Sequence, residues 1–139
     1  MVRGKSFALL FAIAAGALSL AAAQAPKALA PISGGLWEIS GAPGLAAPVR
    51  QCIADVALLA QFEHRGRNCS REIVSDAPGS TLIQYSCGSA GFGRSQIDVV
   101  TPRSLRISTQ GISDKLPFNY VIQARRIGDC PKSASVTRH

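Results

Sequence analysis

Residues 69–87 read CSREIVSDAPGSTLIQYSC, two short runs with β-branched residues on either side of Pro78-Gly79 and a cysteine at each end. Such runs, punctuated by Pro-Gly, predict a β-hairpin. If Ala77, Pro78 and Gly79 form the loop, facing positions sum to 156, so Ile73 opposes Ile83, Arg71 opposes Tyr85 and Cys69 opposes Cys87. Opposed side chains in an antiparallel pair have Cβ atoms about 4.5–5.5 Å apart, within reach of a disulfide after slight adjustment. The register therefore predicts a Cys69–Cys87 bond, and elimination leaves Cys52 to Cys130.

The chain continues in the same way. Residues 92–100, 105–110 and 118–126 read as further strands, joined by short links at Pro102 and Gly111. Links this short make consecutive strands antiparallel neighbours, because parallel pairing needs a long crossover. A three-residue loop at Thr101-Pro102-Arg103 makes facing positions sum to 204. Ile97 then meets Ile107 and Val99 meets Leu105 on one face, while Asp98 meets Arg106 on the other. Residues 36–40 form an earlier strand that carries Trp37 and Ile39 on one side. One helix is expected, capped by Asp55, with Val56, Leu59, Ala60, Leu58 and Phe62 at helical offsets and Gly66 as its stop. The expected fold is mainly β: an antiparallel up-and-down meander forming a curled sheet or partial barrel, with one short helix and two disulfides.

The segment YSCGSAGFGR, from Tyr85 to Arg94, carries three glycines that invite comparison with a phosphate loop. A phosphate loop leads into a helix N-terminus, where backbone N–H groups meet the anion. Here RSQIDVV follows, which is a strand, and no Gly-Lys-Ser/Thr is present. The glycines are read as turn residues.

Arg3 and Lys5, an apolar run from Phe7 to Leu20 and Ala21-Ala22-Ala23 have the layout of a signal peptide over 1–23. The run is shorter than the roughly 20 apolar residues of a membrane span, so a mature chain without a transmembrane segment is expected. Taking 23 residues from 139 leaves 116, enough for one domain. Residues 24–31 read as a flexible leader, 32–132 as a single disulfide-stapled β domain and 133–139 as a disordered tail. Losing Arg3 and Lys5 takes the formal charge from +7 to +5. With aromatics at only 6%, the composition does not support a nucleic-acid surface. Arg65, Arg67 and Arg71 form the densest basic cluster, read as a solvated loop rather than an anion site.

Catalytic chemistry is not visible. The two histidines are His139, at the chain end, and His64, which reads as a cation at a helix C-terminus. No nucleophile, base and orienter fall together, so no catalytic residue is assigned and the protein is read as not an enzyme. Cysteine spacings of 17, 18 and 43 contain no Cys-x-x-Cys, so neither a metal site nor a cofactor is expected.

Gly35-Leu36-Trp37-Glu38, Cys52 after Ala42-Pro43-Gly44, the middle cysteines and the ending RRIGDCP through Cys130 together resemble the exported bacterial proteins grouped as the domain-of-unknown-function 3617 family. GAPG stands where that family often has GMP. The resemblance implies a periplasmic location in a Gram-negative envelope and supplies no activity. A looser likeness is to calycin and lipocalin barrels, in which a first-strand G-x-W is covered by an arginine near the last strand's end. Gly35, Trp37 and Arg126 would fill those structural places, with Arg126 laid across the indole. The functional expectation is a non-enzymatic periplasmic protein that binds a small apolar ligand or an envelope partner. The alternative is a structural or stress-related envelope protein that acts through surface contacts alone.

Overall fold

The structure, a computed structural model, describes residues 25–132; the signal peptide read at 1–23 and the tail at 133–139 lie outside them. Seven strands form one antiparallel sheet: β1 (Gly35–Ser40), β2 (Val49–Ile53), β3 (Ser70–Ala77), β4 (Ser80–Ser86), β5 (Gly91–Thr101), β6 (Ser104–Ser113) and β7 (Leu116–Gly128). Their spatial order is β2-β1-β7-β6-β5-β4-β3. The meander runs from β3 to β7, β7 returns to β1, and the sheet stays open between β2 and β3. The short β2, absent from the expected strands, is one of the two edges.

Alternation along each strand separates an inner from an outer face. Trp37 and Ile39 on β1, Ile83 on β4, Ile97 on β5, Leu105 and Ile107 on β6 and Ile122 on β7 are buried on the inner face. Each such side chain stabilises by about 1.5–3 kcal/mol on leaving water. The inner face is covered by the helical segment Val56–His64, whose Val56, Leu59, Ala60 and Phe62 join the same core. Asp55 caps this segment by accepting the Ala57 N–H at 3.0 Å. The winding is 3-10, kinked at Gln61. Val56, Leu59 and Phe62 recur every third residue, the spacing that aligns side chains in a 3-10 helix; Leu58, expected inside, is exposed.

Both disulfides form: Cys69–Cys87, with Cα atoms 4.3 Å apart, and Cys52–Cys130, 5.5 Å apart. Each fastens an edge strand, the first at the start of β3 and the second on β2. The two hairpin registers hold over the cysteine-bearing and core ends, with Ile73 opposite Ile83 and Ile97 opposite Ile107. The loops differ. Ala77 pairs with Ser80 and Thr101 with Ser104, so each turn has two residues, and a bulge beside Val74 and Val100 absorbs the extra position. Gly79 supplies the positive φ that the first turn requires. Asp98 and Arg106 are cross-strand partners as expected, but Asp98 accepts from Ser80 and Gln96, while Arg106 turns to Ser108.

Of residues 24–31, read as a flexible leader, the described part from residue 25 onward packs against the sheet. Lys27–Leu29 forms a 3-10 turn, Ala28 and Leu29 are buried, and the Asp76 carboxylate accepts the backbone N–H groups of Lys27 (2.6 Å) and Ala28 (3.1 Å). A run of small residues conceals this because the anchor comes from a distant strand. Those two N–H donors hold the Asp76 carboxyl below the usual carboxylate range. Among the described residues, no helix is long and apolar enough to cross a membrane.

Candidate binding face

Tyr85, Gly93, Gly111 and Phe118 lie in one cross-strand row on the inner face. The paired glycines leave no side chain between the two rings. A Cβ on Gly93 would collide with the Tyr85 ring, and one on Gly111 would collide with the β5 backbone. His64 stands edge-on to both Tyr85 and Phe118. It does end the helical segment, as expected, but is 4% accessible, with Nδ1 3.0 Å from the Tyr85 hydroxyl and Nε2 3.0 Å from the Ala90 carbonyl. A carbonyl only accepts, so Nε2 carries a proton; in the neutral ring Nδ1 then accepts from the Tyr85 hydroxyl. Burial, reinforced by the charge of Glu63, pushes the Tyr85 hydroxyl up to about 12. Beside it Glu63 accepts the Tyr120 hydroxyl at 2.7 Å, and burial and that carboxylate raise Tyr120 as well. The only sequence cue to this cluster was the spacing that sets Tyr85, Gly93, Gly111 and Phe118 in one row.

The glycine-rich segment behaves as turn chemistry. Gly88–Ala90 is a single 3-10 turn, Gly88 and Gly91 have positive φ, and the chain goes straight into β5. Its contribution to a site is on the other face of the sheet. There Glu72, Gln84, Arg94, Gln110 and Asn119 form a row across five strands, one from each of β3 to β7. All five are exposed, and their side chains make no hydrogen bond or ion pair with the described residues. The next row holds Phe92, Ile112 and Pro117; Phe92 is 54% accessible, unusual for a phenylalanine on a folded sheet. Gln84, Phe92, Arg94, Gln110, Ile112 and Asn119 line an open basin of about 560 Å³.

Elsewhere on the outer face several charged side chains are paired. Glu38 bridges Arg50 and Arg125, each across 3.3–3.4 Å. Asp98 takes Ser80 and Gln96, and Arg106 takes Ser108. Five neighbouring unpartnered side chains in one row set this part of the face apart from those pairs.

The inner face is filled by the core described above. Arg126 does face inward, opposite Trp37, as the alternation predicts, while Arg125 faces out. Its guanidinium nevertheless passes over Gly35, donates from Nε to the Gly34 carbonyl at 2.9 Å and pairs with Asp129 at 2.6 Å. No cation–ring contact joins it to Trp37; among the described residues that contact is made by Arg65 on Phe62, 4.6 Å from the ring centre. Gly35 provides the space for the Arg126 stem, and Trp37 is fully buried with its indole N–H unpaired among the described residues. Arg71 pairs with Asp55, so of the Arg65, Arg67 and Arg71 cluster only Arg67 projects without a side-chain partner. Among the described residues no three of His, Cys, Asp and Glu are placed to hold a metal ion.

No protein-family model matches the chain, and no curated protein matches it either. The function must therefore be argued from these faces alone.

Proposed function

We propose that the protein is a non-enzymatic binding module exported to the Gram-negative periplasm, and that it engages an envelope component through the outer face of β3 to β7. The observation that carries this reading is the contrast between a filled inner face and a row of five unpartnered polar side chains beside an exposed Phe92. Polar side chains on a sheet gain by pairing across strands, as Glu38 does with Arg50 and Arg125 and Ser80 with Asp98 elsewhere on this face. The two disulfides fit an oxidising compartment. Surface contact is favoured over an apolar ligand held inside the sheet, because such ligands need an enclosed apolar pocket. His64, the one described histidine, has both ring nitrogens engaged within the protein, which supports a role without proton transfer.

A photo-crosslinking residue at position 110, expressed in a Gram-negative host with the intact N-terminus, tests the reading. An adduct from position 110 and none from the turn position 103 is expected. Adducts from both, from neither, or an apolar small molecule released only on unfolding in native mass spectrometry would overturn it.

A further inference from the structure

We infer that the occupant of the outer-face basin is an uncharged polysaccharide chain, with a sugar ring stacked on Phe92 and its hydroxyls bonded by Gln84, Arg94, Gln110 and Asn119. This rests on the outer-face reading above and names its ligand class. Four strand spacings of about 4.8 Å make the row about 19 Å long, which suits an extended chain better than one small molecule. Three of the five side chains are amides, each with two donors and a carbonyl acceptor. A sugar hydroxyl both donates and accepts, so amides match it in either role.

The charges in the row point the same way. Glu72 and Arg94 are one acid and one base within a few strands of each other, so the row offers no excess cation for a polyanion. Nucleic acid and acidic lipid binding depend on neutralising several phosphates with clustered Lys and Arg, and here Arg94 is alone. An extended peptide that added a strand would use the β3 edge, which the bulge beside Val74 interrupts. The exposed Phe92 ring has a negative face that attracts the polarised C–H side of a pyranose, and Ile112 and Pro117 extend that apolar shelf.

Isothermal titration of the oxidised full domain with cellohexaose and with chitohexaose, against a uronic-acid hexasaccharide of equal length, is the test. Saturable binding of at least one neutral hexasaccharide is expected, weakened about tenfold by Phe92→Ala and by Gln110→Ala. Arg106→Ala, on the same face but already paired within the sheet, should leave affinity unchanged, and melting curves of all variants should overlay the parent. Cellohexaose alone would specify bare hydroxyls and chitohexaose alone N-acetylated sugars, both within the proposal. Binding of neither neutral chain, equal loss in Arg106→Ala, or preference for the uronic-acid chain would overturn it. Crosslinking confined to position 110 together with no glycan binding would leave the outer-face function standing and remove only the glycan.

Discussion

The same five strands present two faces that have solved opposite problems. On the inner side the row Tyr85, Gly93, Gly111, Phe118 is closed by His64, and each polar atom of the imidazole has a partner. One residue along, on the outer side, Glu72, Gln84, Arg94, Gln110 and Asn119 have none within the described chain. A buried polar group without a partner costs about 1–3 kcal/mol, whereas an exposed one is satisfied by water. Folding therefore constrains the first row tightly and the second hardly at all. The second is where composition is free to answer to something outside the molecule.

The comparison can be broken from the inside most severely. Changing Cys52 and Cys130 together to Ser frees β2 and the helical segment that follows it, opening a loop of 78 residues. The loop-entropy relation gives a loss of about 4.5 kcal/mol, against about 3 kcal/mol for the 18-residue Cys69–Cys87 loop. Chemical denaturation of the two double variants should rank them in that order. Next, Gly93→Val forces a side chain into the Tyr85 ring and is expected to cost about 1–3 kcal/mol by overpacking, while Gln110→Val, its neighbour on the other face, should change stability by less than about 0.5 kcal/mol.

Alkali probes the inner face alone. The folded Tyr85 hydroxyl titrates near 12 and an unfolded tyrosine near 10, so above pH 10 the unfolded chain releases its proton first. Stability should be constant to about pH 10 and fall as pH rises toward 12. Tyr85→Phe should make that fall shallower, the remainder coming from Tyr120, whose hydroxyl is raised as well, whereas Arg94→Ala should leave it unchanged. At the acid end the sign reverses: Asp76 is held below 3.8 by two backbone donors, so the contact with Lys27 and Ala28 persists above that value and is lost as pH falls beneath it. Asp76→Asn should abolish this acid dependence, read as protease access at residues 25–31. A small gain is expected at the β6–β7 turn, where Asp114 and Lys115 both have positive φ. Lys115→Gly should stabilise by roughly 1 kcal/mol without touching either face.

What the sequence reveals and what it hides follow from the range of the interactions. The inner faces of the hairpins are legible because side chains alternate with period two and Ile73, Ile83, Ile97 and Ile107 must share one side. Turn lengths are less so, since a bulge beside Val74 or Val100 can take up one residue while the core register stays fixed. Such a bulge leaves a valine outside at little cost; these two are 44% and 62% accessible. His64 is misread because its partners, Tyr85 and the Ala90 carbonyl, are 21 and 26 residues away. The N-terminal turn is hidden for the same reason, its anchor Asp76 lying 48 or 49 residues on. Trp37 and Arg126 come together on adjacent strands, yet the arginine's choice of the Gly34 carbonyl over the indole depends on the missing side chain at Gly35. The outer row is written plainly in the sequence, but without the five-strand register Gln84, Arg94, Gln110 and Asn119 are only four scattered polar residues.

The bulge in β3 has a consequence for the life of the protein among its own copies. An open sheet with an eight-residue edge is a template onto which another chain can crystallise, strand upon strand, once concentration rises. Val74 spoils the template by throwing the edge out of step, and Lys27 and Ala28 occupy Asp76 near its end. A newcomer that paired faithfully with the first half of β3 would find the second half shifted by one residue, its side chains aimed the wrong way. Along β3 the sheet can thus stay open, keeping a broad face available, without offering a newcomer a continuous edge to copy.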